Sequence, residues 1–499
     1  MQKPDKTRVV IAGGGTAGWI TAYSLSKRLA PFLDITLVES DQIGTVGVGE
    51  ATIPSMKVFH QLVDIDEQEF MRETQATFKL GISLENWGNI GDKYIHSFGT
   101  LGQGSWIAQF HEYWLEAQEK GFAGSMDDYC LELKAAKQGK FATKINNTTL
   151  LYAYHLNATA YAQFLRKKSE QQGVTRVEGK ISDIKNDPAS GDITSLHLDN
   201  GKTIEGDFFI DCTGFRALLL GENLKVGFED WSHWLKANRA IAVQTELVGD
   251  PVTYTRSISH ASGWQWQIPL QSRMGNGIIY CDKYISDDEA KQTLYDNLPG
   301  EPLTEPNMLR FSTGRREKFW HKNCVAIGLS SGFLEPLEST SIHLITTAVI
   351  RLMRLFPFSE NNRHLADEFN DLTLKEMESV RDLVIFHYKQ TERNDSEYWN
   401  DYRTMDVPES LTHRIEIFRN NGYTSSDGVF HVTSWVQVMM GQGIYPKQHH
   451  SATRILPPDE LKQQLDKIRS HIDMNLKKLP SHKDFIKQYC PAPPMSGSK

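Results

Sequence analysis

The segment Arg8-Val-Val-Ile-Ala12 runs directly into Gly13-Gly-Gly-Thr-Ala-Gly18 near the start of the chain. The apolar run is typical of a buried strand, and the cluster of glycines predicts a tight turn. Helical spacing of apolar residues from Trp19 to Leu29 predicts a helix, and Ile35-Thr-Leu-Val-Glu39 predicts a second strand. Together these segments predict a βαβ unit, the first part of a parallel sheet.

The glycine spacing of this turn matches what a dinucleotide-binding site requires. Gly13 allows the sharp turn, Gly15 lets the backbone approach a pyrophosphate, and Gly18 lets helix and strand pack closely. The helix that follows presents N–H groups and the positive end of its dipole to phosphates. Glu39 can accept hydrogen bonds from ribose hydroxyls, and its charge disfavours a 2′-phosphate. A turn without a ligand is the simpler alternative, but the strand–turn–helix context favours a dinucleotide site.

Two further junctions between a strand and a glycine turn lie far along the chain. They are Asp207-Phe-Phe-Ile-Asp-Cys-Thr-Gly-Phe215 and Cys324-Val-Ala-Ile-Gly-Leu-Ser-Ser-Gly-Phe333. A nicotinamide dinucleotide needs one such crossover, whereas a long flavin dinucleotide is commonly held by several. Gly328–Ser331, followed by a helix near Ser339, could also point a helix dipole at a flavin ring. These junctions favour FAD over NAD.

Composition excludes several classes of protein. The 499 residues carry 54 Lys and Arg against 62 Asp and Glu, and this net charge of −8 argues against general binding to nucleic acid or to anionic membranes. No segment approaches the roughly 20 apolar residues of a membrane helix. Cysteines are few, odd in number and without CxxC spacing, so we expect no disulfide framework, no metal site and a reducing cytoplasmic location. They are Cys130, Cys212, Cys281, Cys324 and Cys490.

At three separate motifs the sequence resembles the flavin-dependent halogenases, the family typified by the tryptophan halogenases. The motifs are Gly13–Gly18, Trp264-Gln-Trp-Gln-Ile-Pro269, which matches the family's WxWxIP signature, and Phe333-Leu-Glu-Pro-Leu-Glu-Ser-Thr-Ser341. The resemblance covers about residues 8–450. Ser341 stands where the family pattern usually has Gly. Serine keeps the backbone N–H that a halide needs, but its Cβ restricts positive φ and leaves halide choice and affinity open.

The resemblance implies an α/β fold and a division of the chain. We expect a Rossmann-type FAD-binding core like that of the aromatic hydroxylases, a β-sheet substrate region and a largely helical C-terminal part. The core is predicted in residues 1–340, with inserted substrate-pocket segments at about 55–150 and 230–310. Residues 341–488 are predicted to form the mainly helical part that completes the substrate site. Residues 489–499, rich in Pro, Gly and Ser, are predicted to be a disordered tail.

The resemblance also implies the chemistry. Reduced FAD (FADH2), delivered by a separate flavin reductase, and O2 convert chloride or bromide to hypohalous acid, which passes through a tunnel to a lysine beside the aromatic substrate. Lys79, within Thr77-Phe-Lys-Leu-Gly81, matches that lysine. An ammonium can hydrogen-bond hypohalous acid, and a neutral amine can capture it as a haloamine. A solvated surface charge is the alternative interpretation of a single lysine.

Further residues of the site follow from the same resemblance. Glu338 matches the second catalytic group, a carboxylate that stabilises the cationic ring and accepts its proton; complementing a helix dipole is the alternative. Thr340 and Ser341 match the halide-binding backbone, where routine helix capping is the alternative. The predicted cofactor-binding residues are Gly13, Gly15, Thr16, Ala17, Gly18, Glu39, Gly49, Glu50, Ala51, Ile181, Leu329 and Ile342.

Aromatic residues supply the predicted substrate contacts. Trp264 and Trp266 would form a wall that keeps a substrate away from the flavin while a small acid passes; ordinary core aromatics are the alternative. His96-Ser-Phe-Gly99 resembles the substrate-facing segment, so His96 and Phe98 are candidates for stacking, although a core or loop role suits His96 equally. No clamp for the amino and carboxylate groups of tryptophan can be aligned within Asp401–Tyr445. Free indole or another electron-rich aromatic is therefore at least as suitable as tryptophan.

Three functions remain open at the level of sequence. The first is an FAD-dependent halogenase acting on an indole-like aromatic. The second is a single-component flavin hydroxylase of the same fold, which would need no halide. The third is a non-catalytic flavoprotein whose helical half binds a partner. No nucleic acid, membrane or metal is expected, and a homodimer is compatible with the sequence.

Overall fold

A computed structural model of the chain describes residues 6–43, 49–358, 363–426 and 428–493. The strands, in chain order, are β1 (Thr7–Ala12), β2 (Leu33–Glu39), β3 (Gly49–Ala51), β4 (Thr77–Lys79), β5 (Gly81–Glu85), β6 (Lys93–Ser97), β7 (Lys144–Ile145), β8 (Thr148–Thr149), β9 (Ala153–Asn157), β10 (Thr175–Glu178), β11 (Ile181–Asn186), β12 (Ile193–Leu198), β13 (Thr203–Glu205), β14 (Phe208–Asp211), β15 (Phe228–Asp230), β16 (Arg239–Glu246), β17 (Tyr254–His260), β18 (Gly263–Pro269), β19 (Arg273–Tyr280), β20 (Asn307–Arg310), β21 (Gly314–Arg316), β22 (Trp320–His321), β23 (Cys324–Ala326) and β24 (Gly332–Phe333).

Helices dominate after about residue 340, as the sequence predicts. The α-helices are α1 (Thr16–Leu29), α2 (Ser55–Leu62), α3 (Glu67–Glu73), α4 (Phe110–Glu119), α5 (Leu131–Lys137), α6 (Ala158–Gln171), α7 (Asp287–Asp296), α8 (Ser341–Arg354), α9 (Arg363–Lys389), α10 (Glu397–Thr404), α11 (Glu409–Asn421), α12 (Val432–Gly441), α13 (Pro458–Lys478) and α14 (His482–Tyr489).

The predicted βαβ unit lies at the centre of a six-stranded sheet with the order β10-β2-β1-β14-β23-β22. Strand β1 pairs in parallel with β2 on one side and with β14 on the other, and β14 pairs in parallel with β23. The run Val9–Ala12 is buried because the sheet is covered on both faces, which is the environment that a continuous apolar strand requires. The α/β class and the Rossmann-type core are confirmed.

A seven-stranded sheet with the order β20-β16-β19-β18-β17-β5-β6 contains the WxWxIP motif. Strand β18 carries the motif between β17 and β19, both antiparallel to it. All residues of β18 and β19 are buried, so this part of the sheet is interior. Alternation along β18 places Trp264 and Trp266 on the same face.

The chain divides into two units that differ from the predicted ranges. Residues 341–378 belong to the first unit rather than to a separate helical part, because α8 packs against α1. Residues of the predicted inserted segments, at about 55–150 and 230–310, fall mostly in the second unit. The first unit comprises Met1–Ala76, Leu156–Asn238 and Leu309–Glu378, and the second Thr77–His155, Arg239–Met308 and Ser379–Lys499.

The C-terminal segment departs from the predicted disordered tail at 489–499. Tyr489 ends α14, and the next residue, Cys490, is buried. Gln271 fixes the segment at two points: its Nε2 donates to the Cys490 carbonyl (3.1 Å), and its Oε1 accepts from the Ala492 N–H (2.9 Å). Residues 494–499 lie outside the described residues. Among the described helices, none has the length and apolar character needed to cross a membrane.

Candidate active site

The glycine turn between β1 and α1 has the geometry that its sequence predicts. Gly13 has a φ of 106°, and a Cβ on it would lie 2.2 Å from the carbonyl oxygen of Cys212. A Cβ on Gly18 would lie 1.9 Å from the carbonyl oxygen of Gly13, so close packing of turn and helix requires glycine. A Cβ on Gly15 would meet nothing within 4 Å, which leaves open space beside the backbone at the start of α1. The turn therefore fits a pyrophosphate at the helix N-terminus.

Glu39 lies directly over this turn. Its Oε1 accepts a hydrogen bond from Arg176 Nε (2.5 Å), and its Oε2 accepts one from Trp19 Nε1 (3.3 Å). A Cβ on Gly14 would lie 1.5 Å from Glu39 Oε2, so Gly14 must be glycine for the carboxylate to sit there. The sequence interpretation missed Gly14, although its place inside the glycine run was the available signal. The carboxylate is fixed beside the turn, and its contact with a ribose stays a prediction.

The three predicted strand-to-glycine junctions meet at the carboxyl edge of the six-stranded sheet. Gly328, with a φ of 78°, approaches α1 so closely that a Cβ on it would lie 2.7 Å from the Cβ of Ala17. Ser330 Oγ donates to the carbonyl of Asp211, at the end of β14. The Asp211 carboxylate accepts from the backbone N–H of Thr213 (3.0 Å), and burial raises the pKa of this carboxyl group. One edge of the sheet thus gathers all three turns.

The other predicted cofactor-binding residues of the first unit occupy varied positions. Gly49 and Ala51 are buried in β3. Glu50 lies between them and is partly exposed, and desolvation raises its pKa to about 7. Ile181 packs against the hydrophobic cluster under β1, which suits a core role as well as a cofactor contact. Leu329 lies in the short turn Gly328–Ser330. Their cofactor contacts stay predictions.

The motif at 333–341 forms a turn that leads into α8. Glu338 ends a single helical turn and is buried, and Ser339 takes a left-handed conformation with a φ of 58°. Thr340 caps α8 and is fully buried, and within the described residues its Oγ1 has no hydrogen-bond partner. Ser341 is the first residue of α8, so its backbone needs no positive φ and the serine imposes no strain there. Ile342 follows as a buried residue.

These features of the first unit fit a flavin dinucleotide. The backbone at Gly15 is open, the carboxylate of Glu39 is fixed beside it, and a buried hydroxyl at Thr340 is left without a partner among the described residues. A buried polar atom without a partner is costly unless a ligand satisfies it. The turn at Gly13–Gly18, Glu39 and the segment from Gly328 to Ile342 are the residues that would hold the group.

Lys79 lies in the second unit, at the end of β4, and is fully buried. Its Nζ lies 5.2 Å from the centroid of the Phe98 ring, a distance typical of a cation–π contact. The next residue, Leu80, accepts a hydrogen bond at its carbonyl from the N–H of Phe98 (2.9 Å). Lys79 is therefore not a solvated surface charge, and it lies beside Phe98, which was predicted separately as a candidate for substrate stacking.

His96 is buried at the end of β6, and its ring centroid lies 6.4 Å from that of Phe430. The neighbouring Ser97 is held by Gln437 of α12, whose Oε1 accepts from the Ser97 N–H (2.9 Å) and whose Nε2 donates to the Ser97 carbonyl (3.1 Å). Phe430 and Gln437 are residues that the sequence interpretation missed. No local pattern marks them, because the contacts join parts of the chain more than 300 residues apart.

Trp264 and Trp266 are buried, with ring centroids 6.2 Å apart. A Cβ on Gly277 would lie 2.1 Å from the ring of Trp266, so this indole lies close against the neighbouring strand β19 at a position that requires glycine. Trp264 packs against Trp87 (6.2 Å), which also contacts Trp399. Trp264 therefore packs within a cluster of aromatic rings, and its predicted part in a wall between flavin and substrate stays a prediction. Within the described residues, neither indole N–H of the pair has a hydrogen-bond partner.

A mainly parallel sheet with three glycine turns at one edge and a carboxylate over the first turn is typical of a dinucleotide-binding protein, and the three turns favour the flavoprotein class. The family model for tryptophan halogenase matches residues 8–458. A tryptophan 6-halogenase from Streptomyces toxytricini is 34% identical over 97% of this chain and 98% of its own length.

Solved structures agree with the family match. A flavin-dependent halogenase from Xanthomonas campestris is 52% identical with a TM-score of 0.95, over 98% of this chain and 99% of that one. Another from Brevundimonas sp. BAL3 is 43% identical with a TM-score of 0.92, over 98% of this chain and 100% of that one. The chain belongs to the tryptophan halogenase family. It is an enzyme, a flavin-dependent halogenase, and the family implies the use of FAD and of a halide.

Proposed function

We propose that this enzyme halogenates an electron-rich aromatic, indole or an indole derivative including tryptophan, with chloride or bromide as the source of halogen. FAD, supplied in reduced form by a separate flavin reductase, provides with O2 the oxidising power that converts halide to hypohalous acid. The family match and the halogenase structures do not favour a hydroxylase of the same fold. The side chains of this chain bind the hypohalous acid, orient the aromatic substrate and remove the proton from its ring.

The burial of Lys79 beside an aromatic ring is the observation that carries the proposal. A lysine removed from water and held 5.2 Å from the ring of Phe98 is suited to bind a small polar oxidant next to an aromatic substrate. A hypohalous acid molecule that accepts a hydrogen bond from the ammonium becomes more electrophilic at its halogen. We assign to Lys79 the delivery of that halogen, and to His96 and Phe98 the stacking of the ring that receives it.

The proposed roles in the first unit follow from the turn before α8. Glu338 is the carboxylate assigned to stabilise the cationic ring and to accept its proton, and its burial strengthens any electrostatic interaction that it makes. Backbone N–H groups at Thr340 and Ser341 are assigned to the halide, because they stand at the start of a helix of fourteen residues.

The preferred substrate is proposed from the side chains available to bind its ring and its polar groups. Relatives are named for tryptophan, and tryptophan is included for that reason. Two tryptophans within or next to Asp401–Tyr445, however, are buried core residues, because Trp399 and Trp435 are both almost wholly removed from solvent. A zwitterion that enters a pocket without partners loses hydration uncompensated, whereas indole has a single N–H donor. We therefore expect kcat/KM for free indole to be at least as high as for L-tryptophan.

The test is a reconstituted reaction read by mass spectrometry. Purified protein is incubated with FAD, a flavin reductase and NADH, O2, bromide or chloride, and either indole or L-tryptophan. A product with the halogen isotope pattern is expected, formed at least as fast from indole. A gain of one oxygen without halide would support the hydroxylase instead, and a clear preference for L-tryptophan would overturn the substrate proposal alone.

Two further proposals concern location and assembly. A cytoplasmic location is supported by the cysteines: all five are buried, and no disulfide joins them in the structure. A homodimer stays a proposal that light scattering on the purified protein can test.

A further inference from the structure

A chain of buried hydrogen bonds runs next to Lys79 and is not used by the proposed chemistry. Thr77 Oγ1 donates to the carbonyl oxygen of Pro269, the last residue of the WxWxIP motif (2.7 Å). His155 Nδ1 lies 3.1 Å from the same Thr77 hydroxyl, and His155 Nε2 lies 3.0 Å from Thr255 Oγ1. All three side chains are buried. One imidazole therefore links β4, β9, β17 and the end of β18.

The direction of these hydrogen bonds requires a proton on Nδ1 of the imidazole. The Thr77 hydroxyl has one proton and gives it to Pro269, whose carbonyl can only accept. Thr77 must then accept from His155, so Nδ1 carries the ring proton. In the neutral ring Nε2 then holds a lone pair, which accepts from the hydroxyl of Thr255. Every donor and acceptor is satisfied by a neutral His155.

Burial and nearby positive charges keep the His155 ring neutral. Burial lowers the pKa of His155 well below its usual value, and the nearby Lys79 and His482 lower it further. On the other side of the strand, His482 Nε2 accepts from the N–H of Phe78 (3.2 Å) and its Nδ1 donates to the carbonyl of Pro251 (2.8 Å). Burial lowers the pKa of His482 to about 4. Two neutral imidazoles thus face the strand that carries the lysine.

Strand β4 needs support beyond the backbone hydrogen bonds of its pairing with β9. β4 has only three residues, and it pairs with β9 through Thr77 opposite His155 and Lys79 opposite Ala153. Because side chains two residues apart point to the same face, His155, Thr77 and Lys79 share one side of the sheet. The hydroxyl–imidazole chain ties that side to Pro269.

We propose that His155 is a positioning residue for Lys79: through Thr77 it holds the lysine-bearing strand against the end of the WxWxIP strand, and it does so without adding a second positive charge. This inference rests on the proposed role of Lys79. It predicts that the network governs the placement of the ammonium and not the formation of hypohalous acid.

The kinetic test uses substitutions that remove or keep single hydrogen bonds. Thr77→Val removes the hydrogen bond to Pro269, and His155→Leu removes the ring that donates to Thr77 and accepts from Thr255. The amide of His155→Asn can still donate to Thr77. Thr453→Val is a matched control, since Thr453 is fully buried and its hydroxyl donates to the His450 carbonyl (2.8 Å) elsewhere in the same unit. We expect the first two variants to lose about tenfold or more in kcat for halogenated product, because a misplacement of about 1 Å can cost about 10²-fold.

In those variants, hypohalous acid caught by a soluble trap should rise as product falls. His155→Asn should recover most of the rate, and Thr453→Val should match the parent enzyme. Product formation at the parental rate in Thr77→Val and His155→Leu would overturn the proposal. The proposal would also be overturned if His155→Asn had the melting temperature of the parent enzyme but formed product as slowly as His155→Leu.

A spectroscopic readout separates this inference from the proposed function. In protein labelled with ¹⁵N-histidine, the NMR signals of the His155 ring are identified as those that disappear in His155→Asn. Between about pH 6 and about pH 9, they should be the signals of a neutral ring protonated at Nδ1. A charged ring, or a neutral ring protonated at Nε2, would overturn the inference. This measurement needs no turnover, so an enzyme that gave no halogenated product would contradict the role of Lys79 and leave the His155 result standing on its own.

Discussion

Ionisable side chains are rarely removed from water unless something is gained by it, and Lys79 and Glu338 are both buried in this chain. Their surroundings differ. The ammonium of Lys79 faces the ring of Phe98, whereas Glu338 lies in the turn that begins α8. Buried ionisable groups concentrate at functional sites, because low polarity makes their charges act more strongly on a bound molecule.

Glu338→Gln tests the second catalytic role, since it keeps size and removes charge. If the carboxylate stabilises a cationic ring, kcat for halogenation should fall about 10²- to 10³-fold, the usual scale for one electrostatic group. Steady-state product formation measures this, with Glu170→Gln on the surface of α6 as the control. Unchanged turnover with a lower melting temperature would indicate the helix-dipole role instead.

Glu50 predicts a pH dependence of stability in the enzyme without flavin. Desolvation raises its pKa from 4.5 to about 7 in the folded chain, so between these values the folded chain binds more protons and stability falls as pH rises. Glu50→Gln removes this effect, worth at most about 3.5 kcal/mol for a shift from 4.5 to about 7 at about 1.4 kcal/mol per pKa unit. Urea unfolding should show the variant to be more stable than the parent at about pH 8 and no more stable at about pH 4. An equal difference in unfolding free energy between variant and parent at both pH values would contradict the raised pKa of Glu50.

At the scale of elements, the turn between β1 and α1 combines a left-handed backbone with close contacts. Gly13→Ala would place a Cβ 2.2 Å from the Cys212 carbonyl at a φ of 106°, so the turn must move. We expect FAD binding, followed by fluorescence quenching, to weaken at least tenfold. Gly173→Ala is the matched control, because its φ is 94° but its Cβ would meet nothing within 4 Å. Equal FAD affinity in both variants would contradict a cofactor role for the turn.

The βαβ unit could be predicted because its signals are local. An apolar run, a glycine cluster and helical spacing follow one another within Arg8–Glu39, and the structure forms them with nearly the same bounds. Motif resemblance located Lys79 but said nothing of what surrounds it.

The remaining contacts could not be predicted because they depend on tertiary packing. His155 meets Thr77 and Thr255 across gaps of 78 and 100 residues, and Gln437 meets Ser97 across 340. A single sequence carries no local pattern that pairs such residues. The predicted boundary at residue 340 does not coincide with a boundary between the two units, since α8 packs on α1 and belongs to the first unit.

At the scale of the whole molecule, each of the two units is built from three separate stretches of the chain. The dinucleotide turn and Glu338 belong to the first unit, and Lys79, His96 and the two motif tryptophans belong to the second. Neither unit is a continuous segment that could be cut out by sequence. We therefore expect flavin oxidation and halogen transfer to be separable by point substitution rather than by truncation.

Lys79→Ala makes this separation and tests the central claim most directly. The variant and the parent enzyme are given FAD, a flavin reductase and NADH, O2, bromide and indole, with Lys447→Ala on the surface as the control. Brominated indole is measured by mass spectrometry, and oxidation of reduced flavin is followed in the same samples. We predict that the variant oxidises reduced flavin like the parent and forms no brominated indole. Brominated product at more than a few per cent of the parental rate would contradict a direct role for Lys79 in halogen transfer.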